Sequence, residues 1–134
     1  MRSSPTTRTS KTVLLLDGSA FFRDTLAPVL KASHYKVITA GTVKEALQVL
    51  ASGTQIDVLV SEIDNKGLGF DFVAKLRALP SYAQLPIIGL TVKHDREMIE
   101  LARRLDISEL VAKIDRRGLL TALSEATNAL AQAA

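Results

Sequence analysis

The amino-acid sequence predicts a three-layer α/β domain built on a parallel β-sheet, and three observations support this prediction. Short apolar runs alternate with helical patterns five times along the chain, which is the order of repeated βα units. The first run, Thr12–Leu16, is continuous rather than alternating, as expected for a strand that is covered on both faces. The chain has 134 residues, a length that suits one domain and is short for two.

Five apolar segments predict the strands of this sheet. They are Thr12–Leu16, Tyr35–Ala40, Ile56–Ser61, Pro86–Leu90 and Glu109–Ala112. The second segment is rich in β-branched residues, which favour extended backbone. Because crossovers between parallel strands are right-handed, we expect the sheet order 2-1-3-4-5, which gives a flavodoxin-like (βα)5 architecture.

The first predicted helix covers Phe21–Ala32 and begins after Ser19, whose hydroxyl can cap it. Its apolar residues recur at helical spacing and are expected to face the sheet. They are Phe22, Leu26, Val29 and Leu30. Pro28 has no N–H group and its ring crowds the preceding turn, so we expect a kink or a local break at this position.

The second predicted helix opens with Thr42 and Glu45, which form a capping box, and runs to Leu50. The residues expected to face inward are Val43, Ala46, Leu47 and Leu50. Three more helices are expected after the third, fourth and fifth strands. They cover Phe70–Ala78, the segment from an Asp95 cap to about Leu105, and Arg116–Leu130.

The composition argues against several classes of protein. There is no cysteine, which excludes disulfides and thiolate metal sites. Aromatic residues make up 4% of the chain and there is no tryptophan, so a base-stacking surface for nucleic acid is not expected. No apolar run approaches the roughly 18 residues of a membrane span, and the first residues lack the apolar core of a secretory signal. We therefore expect a cytoplasmic protein that binds neither nucleic acid nor a membrane.

The excess of positive charge is confined to the start of the chain. The formal net charge is +3, and Arg2, Arg8 and Lys11 account for it. The rest of the chain carries equal numbers of basic and acidic residues. The opening segment is also polar and contains Ser, Thr and Pro, which is typical of a disordered tail or a linker. The expected organisation is a tail or linker over residues 1–11 and one domain over residues 12–131.

Four polar side chains are placed at the carboxyl ends of predicted strands. Asp17 follows the first strand, Glu62 the third, Thr91 the fourth and Lys113 the fifth. In open parallel sheets ligands bind beyond this edge, near the point where the strand order reverses. Two carboxylates, a hydroxyl and an ammonium that meet at one edge suit a phosphoryl group or a cation.

The segments that carry these side chains resemble the receiver domains of bacterial response regulators. The resemblance covers about residues 11–130, and its motifs are Val13–Ser19, Asp57–Glu62, Pro86–Thr91 and Val111–Lys113. Two further segments are similar to the receiver at the C terminus of chemotaxis-type hybrid histidine kinases. They are Ala20–Lys31 and Val111–Leu120. A linker-like N terminus is consistent with such an arrangement.

The resemblance implies a phosphoacceptor site with four kinds of residue. In the family an Asp at the end of the third strand accepts a phosphoryl group from a phosphohistidine, and two adjacent acids after the first strand help to bind Mg²⁺. A Thr or Ser and a Lys contact the phosphoryl group. By position, Asp17 matches the first acid, Thr91 the hydroxyl and Lys113 the cation.

This chain departs from that pattern at the positions that matter for chemistry. Glu62 stands where the phosphoacceptor Asp is expected, and Gly18 replaces the second acid. Leu110 replaces the aromatic residue that usually reports phosphorylation, and Ile114 replaces the Pro that usually follows the Lys. The loop over residues 63–69 is one residue short and has Lys66 where Pro is common.

These departures favour a degenerate receiver that is not an enzyme, requires no cofactor and is not phosphorylated in the usual way. Metal binding through Asp17 and Glu62 would be weak, with Asp64 as a compensating ligand. Glu62 is expected to pair with Lys113 and to accept a hydrogen bond from Thr91, either imitating the phosphorylated state or only satisfying a buried charge. Two alternatives stay open. One is a phosphoacceptor that works through Glu62 or Asp64, and the other is a ligand sensor.

The expected partner surface lies on the fourth helix, the fifth strand and the fifth helix. Receivers usually engage other proteins there, and the expected partner is a signalling protein such as an attached or cognate histidine kinase. The residues assigned to this face are Arg103, Arg104, Leu110, Arg116 and Arg117. Because Arg forks bind phosphates, the same residues motivate the sensor alternative, with a cyclic dinucleotide as ligand. The oligomeric state is left open.

Overall fold

The structure is a computed structural model that describes residues 10–64 and 69–133, with side chains described as far as residue 128. Residues 1–9 of the expected tail lie outside the described residues. So do Lys66 and the rest of residues 65–68, on which the expectation of a shortened loop partly rests.

The five expected strands form a single parallel sheet. They are β1 (Thr12–Leu16), β2 (Lys36–Ala40), β3 (Val58–Glu62), β4 (Ile87–Thr91) and β5 (Glu109–Ala112). The order across the sheet is β2-β1-β3-β4-β5, and every neighbouring pair is parallel. The predicted fold class and strand order are therefore confirmed.

The helices cover both faces of this sheet. They are α1 (Ala20–Ala32), α2 (Val43–Ala51), α3 (Phe70–Ala78), α4 (Arg96–Arg104) and α5 (Arg116–Ala133). A one-turn 3₁₀ helix over Pro80–Tyr82, which the sequence analysis did not predict, follows α3. The predicted caps form: Ser19, Thr42 and Asp95 each accept a hydrogen bond from a backbone N–H three residues later, at 3.0–3.1 Å.

Two apolar layers hold the sheet between its helices. One layer packs α2, α3 and α4 on the sheet, and its largest fully buried side chains are Leu14, Leu16, Leu59, Ile63, Leu76 and Ile87. The other packs α1 and α5 on the opposite face, and includes Val13, Leu15, Leu30, Ile88, Leu90 and Leu123. Successive residues of β1 alternate between the layers, so both faces of the strand are buried and its sequence is uniformly apolar.

Strands β3 and β4 end one residue later than the apolar runs indicate. Glu62 pairs with Leu90 across the sheet, and Thr91 pairs with Ala112. Both polar residues are therefore the last residues of their strands rather than the first residues of the following loops. The backbone positions of Glu62 and Thr91 are consequently fixed by the sheet ladder.

Two details of the helices differ from expectation: the local break allowed for at Pro28 is absent, and Leu47 does not face inward. Helix α1 runs through Pro28 without a break, because Leu26 and Leu30 on either side are buried and anchor both halves to the sheet. Leu47 was expected to face inward, but 45% of its surface is exposed. Ala46 and Leu50, four residues apart, define the buried stripe of α2 instead.

Gly69 allows α3 to begin directly against the end of β3. Its φ is 109°, a left-handed conformation that a residue with a side chain rarely adopts. A Cβ atom at this position would also overlap the carbonyl oxygen of Glu62 and the Cα of Ile63. The backbone that carries Glu62 is thus packed against the start of α3 as well as paired in the sheet.

Arg77 joins three segments at the opposite end of the sheet. From α3 its guanidinium donates hydrogen bonds to the carbonyl oxygens of Tyr82 and Ala83 at 3.0 and 3.1 Å. It also donates to Leu105 and Asp106, after α4, at 3.3 and 2.8 Å. Burial lowers the pKa of Arg77 and the Asp106 carboxylate opposes this effect, so the group stays protonated at neutral pH.

We predict that Arg77→Ala lowers the free energy of unfolding by about 2 kcal/mol, because four carbonyl oxygens lose a charged donor and are left in part desolvated. Chemical denaturation followed by circular dichroism measures the change. Arg103→Ala is the matched control. Arg103 makes one exposed ion pair, with Glu100 at 2.6 Å, and its loss is expected to cost less than about 0.5 kcal/mol. Equal effects of the two substitutions would contradict the role given to Arg77.

Candidate functional site at the carboxyl ends of the strands

Asp17 is a fully buried polar side chain of the candidate site, with no exposed surface. It follows β1, and its backbone N–H donates to the carbonyl oxygen of Ala40 at 3.1 Å, which continues the pairing with β2. Its Oδ1 accepts a hydrogen bond from the backbone N–H of Ser19 at 2.9 Å. Arg23 donates to its carbonyl oxygen at 2.6 Å. The carboxylate is therefore held in one place by the turn between β1 and α1.

Lys113 provides the positive charge that a buried carboxylate needs. Its Nζ lies 2.8 Å from Asp17 Oδ2 and 3.6 Å from Glu62 Oε2, and only 13% of its side chain is exposed. The ammonium also lies 4.4 Å from the centre of the Phe22 ring, a cation–π distance. The Lys113 ammonium thus joins residues at the ends of β1, β3 and β5.

Glu62 extends over the position that Gly18 leaves without a side chain. Its Oε1 accepts a long hydrogen bond of 3.3 Å from the backbone N–H of Gly18, while Oε2 faces Lys113. The side chain is 21% exposed, so it lies at the mouth of the site above the buried Asp17. The longer side chain at position 62 thereby brings a second carboxylate beside Asp17, where Gly18 supplies none.

The expected hydrogen bond from Thr91 to Glu62 is absent, and Asp64 accepts it instead. Thr91 is fully buried, and its hydroxyl donates to Asp64 Oδ1 at 2.7 Å. The backbone N–H of Val92 points to the same oxygen at 3.4 Å. Glu62 extends toward Gly18 and Lys113, which leaves the Thr91 hydroxyl to the carboxylate two residues further along the chain. The expectation was therefore wrong about which acid Thr91 contacts.

The predicted site residues separate into two groups in the structure. Asp17, Glu62 and Lys113 are joined by ion pairs, with Gly18 donating to Glu62. Thr91 belongs to a second group with Asp64. Sequence reasoning gave Asp64 the roles of a compensating metal ligand and an alternative phosphoacceptor, not that of a partner for Thr91, and gave Phe22 only a packing role. An available signal was that residues 62 and 64 are two apart after a strand, a spacing that places side chains on the same side.

The donor set does not fit a divalent cation of the kind that the receiver resemblance implies. Mg²⁺ requires several oxygen ligands in nearly octahedral geometry. Here one oxygen of Asp17 faces the Lys113 ammonium and the other accepts from Ser19. Asp64 is engaged by Thr91. In the part of the chain that the structure describes, no group of three His, Asp or Glu side chains is placed to hold a metal ion.

The residues assigned to the partner face do not form one basic cluster. Leu110 and Arg117 line a groove of about 680 Å³ between β5 and α5, together with the carboxylates of Glu109, Asp115 and Glu125. Arg116 lies instead in a smaller cleft of about 330 Å³ beside α1. Arg103 is paired with Glu100 at the end of α4. The neighbouring Arg104 is exposed there.

None of the helices that the structure describes is long and apolar enough to cross a lipid bilayer.

We predict that Lys113→Met lowers the free energy of unfolding by about 3 kcal/mol, because it leaves the buried Asp17 carboxylate without a counter-charge. Glu62→Gln, which removes the longer and more exposed of the two ion pairs, is expected to cost less than about 1 kcal/mol. Denaturant titration of both variants measures the difference.

A double-mutant cycle provides the control for this prediction. The Asp17→Asn and Lys113→Met substitutions are expected to be coupled by more than about 1 kcal/mol, because their side chains interact directly. Additive effects would show that the ion pair contributes little to stability.

Comparison with known proteins agrees with this fold. The "Response regulator receiver domain" family pattern matches residues 13–124. Chemotaxis protein CheY4 of Vibrio cholerae is 27% identical, with a TM-score of 0.79 over 88% of this chain and 99% of that chain. A receiver domain from Methanospirillum hungatei shares the fold at 18% identity, with a TM-score of 0.81 over 94% of this chain and 100% of that chain.

A third similar structure is part of a larger protein. It is the N-terminal domain of a response regulator/sensory box/GGDEF three-domain protein from Carboxydothermus hydrogenoformans, with 25% identity and a TM-score of 0.74 over 91% of this chain and 98% of that chain. No curated protein sequence matches the chain. The family match covers most of the sequence and coincides with the sheet, its helices and the polar strand ends. The chain belongs to the response regulator receiver domain family of two-component signalling.

Proposed function

We propose that this chain is a degenerate receiver that is not phosphorylated in the usual way and that acts by protein–protein contact. The observation that carries the proposal is the position of Lys113. Its ammonium is shared by Asp17 and Glu62 at 2.8 and 3.6 Å, so the cation that would contact an incoming phosphoryl group already has two carboxylate partners. The proposed setting is cytoplasmic two-component signalling.

Placement of the nucleophile gives a second argument against phosphorylation. Glu62 is the last residue of β3, and its backbone is fixed by pairing with Leu90 and by the approach of Gly69. The additional methylene, relative to Asp, therefore moves the carboxylate outward by up to roughly 1.5 Å, one C–C bond. A misplacement of about 1 Å can cost on the order of 10²-fold in a reaction that depends on alignment.

Loss of charge stabilisation adds to this effect. Phosphoryl transfer depends on cations that neutralise the equatorial oxygens of the transferring group. Gly18 supplies no carboxylate, and Asp17 is bound to Lys113. Glu62 and Asp64, the two acids that would have to accept a phosphoryl group in the alternative proposal, accept hydrogen bonds from Gly18 and Thr91, respectively.

The proposed partner surface is the groove between β5 and α5 with the adjoining side of α4. At position 110 a Leu replaces the aromatic residue that reports phosphorylation in the family, and its carbonyl oxygen lies 3.1 Å from His94 Nε2. A surface of this kind is fixed rather than switched. We propose an attached or cognate histidine kinase as the partner, which is what the resemblance of Ala20–Lys31 and Val111–Leu120 to the receivers of hybrid kinases implies.

A cyclic dinucleotide sensor receives less support from the arrangement of the arginines. Arg116 and Arg117 line different clefts, and Arg103 is already paired with Glu100. The groove that contains Arg117 also contains three carboxylates, which repel a phosphate. Protein contact is therefore the proposal that we retain.

We predict that incubation with a small phosphodonor and Mg²⁺ leaves the intact mass of the protein unchanged. Amide NMR spectra are likewise expected to show no saturable shifts at Asp17, Glu62 or Thr91 when Mg²⁺ and beryllofluoride are added. A metal-dependent gain of one phosphoryl mass would refute the proposal and support a phosphoacceptor at Glu62 or Asp64.

The matched control is the double variant Gly18→Asp, Glu62→Asp, which restores the two acids that the family pattern requires. It is expected to gain one phosphoryl group under the same conditions, because it has a shorter nucleophile and a second metal-binding carboxylate. If wild type and double variant both remain unmodified, the two substitutions do not account for the loss of chemistry.

A further inference from the structure

We infer that Asp64 holds the loop between β4 and α4 in one position, and so acts as an internal substitute for an anion at this site. The loop follows Thr91, the last residue of β4, whose hydroxyl donates to Asp64 Oδ1 at 2.7 Å. The N–H of Val92 approaches the same oxygen at 3.4 Å. A hydroxyl and a neighbouring N–H that share one anionic oxygen form a small anion-binding site, and here the chain's own carboxylate occupies it.

The positions of the two partners make this contact stable. Thr91 is fully buried and is fixed by β4, while Asp64 is half-buried and follows β3 by two residues. Hydrogen bonds to a charged acceptor contribute more than neutral ones, and more so where water is excluded. Asp64 lies two residues after Glu62, and the two carboxylates have different partners. Glu62 engages Lys113 and Gly18, whereas Asp64 engages the loop.

A continuous series of contacts leads from Asp64 to the proposed partner surface. The Thr91 hydroxyl oxygen accepts a hydrogen bond from the N–H of Lys93 at 3.0 Å, which fixes the next turn of the loop. His94 then lies 3.1 Å from the carbonyl oxygen of Leu110 in β5. Asp95 caps α4 through the N–H of Met98 at 3.0 Å. The position of Asp64 is therefore linked through these contacts to the positions of the start of α4 and of β5.

This inference rests on the proposed function in one respect. A loop that would otherwise respond to a phosphoryl group is held by a residue of the chain, so the surface stays in a single arrangement. Asp64 is thus a positioning residue for the partner surface. The contacts of Asp64 with Thr91 and Val92 do not involve Lys113. The proposed function and the role of Asp64 are therefore tested by separate measurements.

The test is amide hydrogen exchange, measured by NMR on the full chain. In Asp64→Ala the amides of Val92 and Lys93 are expected to exchange about tenfold faster than in wild type, because the loop loses its charged acceptor. The signals of His94 and Leu110 are expected to shift. In Asp64→Asn the retained oxygen can still accept from Thr91, and exchange is expected to rise by no more than about threefold.

Asp57→Ala is the matched control. Asp57 accepts a hydrogen bond from the N–H of Thr12 at 2.8 Å, at the amino ends of β1 and β3. Its loss should therefore leave the exchange rates of the Val92 and Lys93 amides unchanged. Global stability is measured in parallel by denaturant titration. Unchanged exchange at Lys93 in Asp64→Ala, or an equal increase in Asp57→Ala, would overturn the inference. Phosphodonor labelling of wild type, which tests the proposed function, is not affected by either result.

Discussion

The ion pair between Asp17 and Lys113 is the constraint on which the rest of the site depends. A carboxylate without solvent contact is costly unless a cation and hydrogen bonds compensate it, and Lys113 reaches it from the end of β5, three strands away in the sheet. The pair joins the two halves of the parallel sheet at their carboxyl ends. Glu62 then has only the outer side of the ammonium available, and its second oxygen turns toward Gly18.

The departures from the family pattern at positions 18 and 62 therefore act together on the arrangement of carboxylates. A shorter side chain at position 62 would not extend to Gly18, and a carboxylate at position 18 would compete with Glu62 for the same space and repel it. The family pattern places acids at positions 17, 18 and 62, so Gly18 and Glu62 leave one acid beside Asp17 where that pattern has two. One negative charge near Lys113 is thereby lost relative to that pattern, and the remaining one, on Glu62, faces both Lys113 and the N–H of Gly18.

The sheet was predictable from the sequence because the continuous apolar runs of β1, β3 and β4 identify strands covered on both faces. The same reasoning located Asp17, Thr91 and Lys113 at one edge of the sheet. It did not predict that Thr91 contacts Asp64, because that contact depends on where β3 and β4 end and on the direction of two side chains. Leu47 was misplaced for a similar reason: apolar spacing defines a face only to within about one residue. The unfavourable effect of Pro28 on a helix predicted a kink or break in α1. That local effect takes no account of the packing of Leu26 and Leu30 on either side of the proline.

The close approach of Gly69 to the carbonyl group of Glu62 bears on how such a domain changes over evolutionary time. Only a residue without a side chain fits there, and the requirement comes from packing rather than from any reaction. Selection for a folded protein is then sufficient to retain the backbone frame of the site, whatever chemistry the site performs. The fold therefore fixes where the acids at the end of β3 lie, while leaving their identity to other constraints.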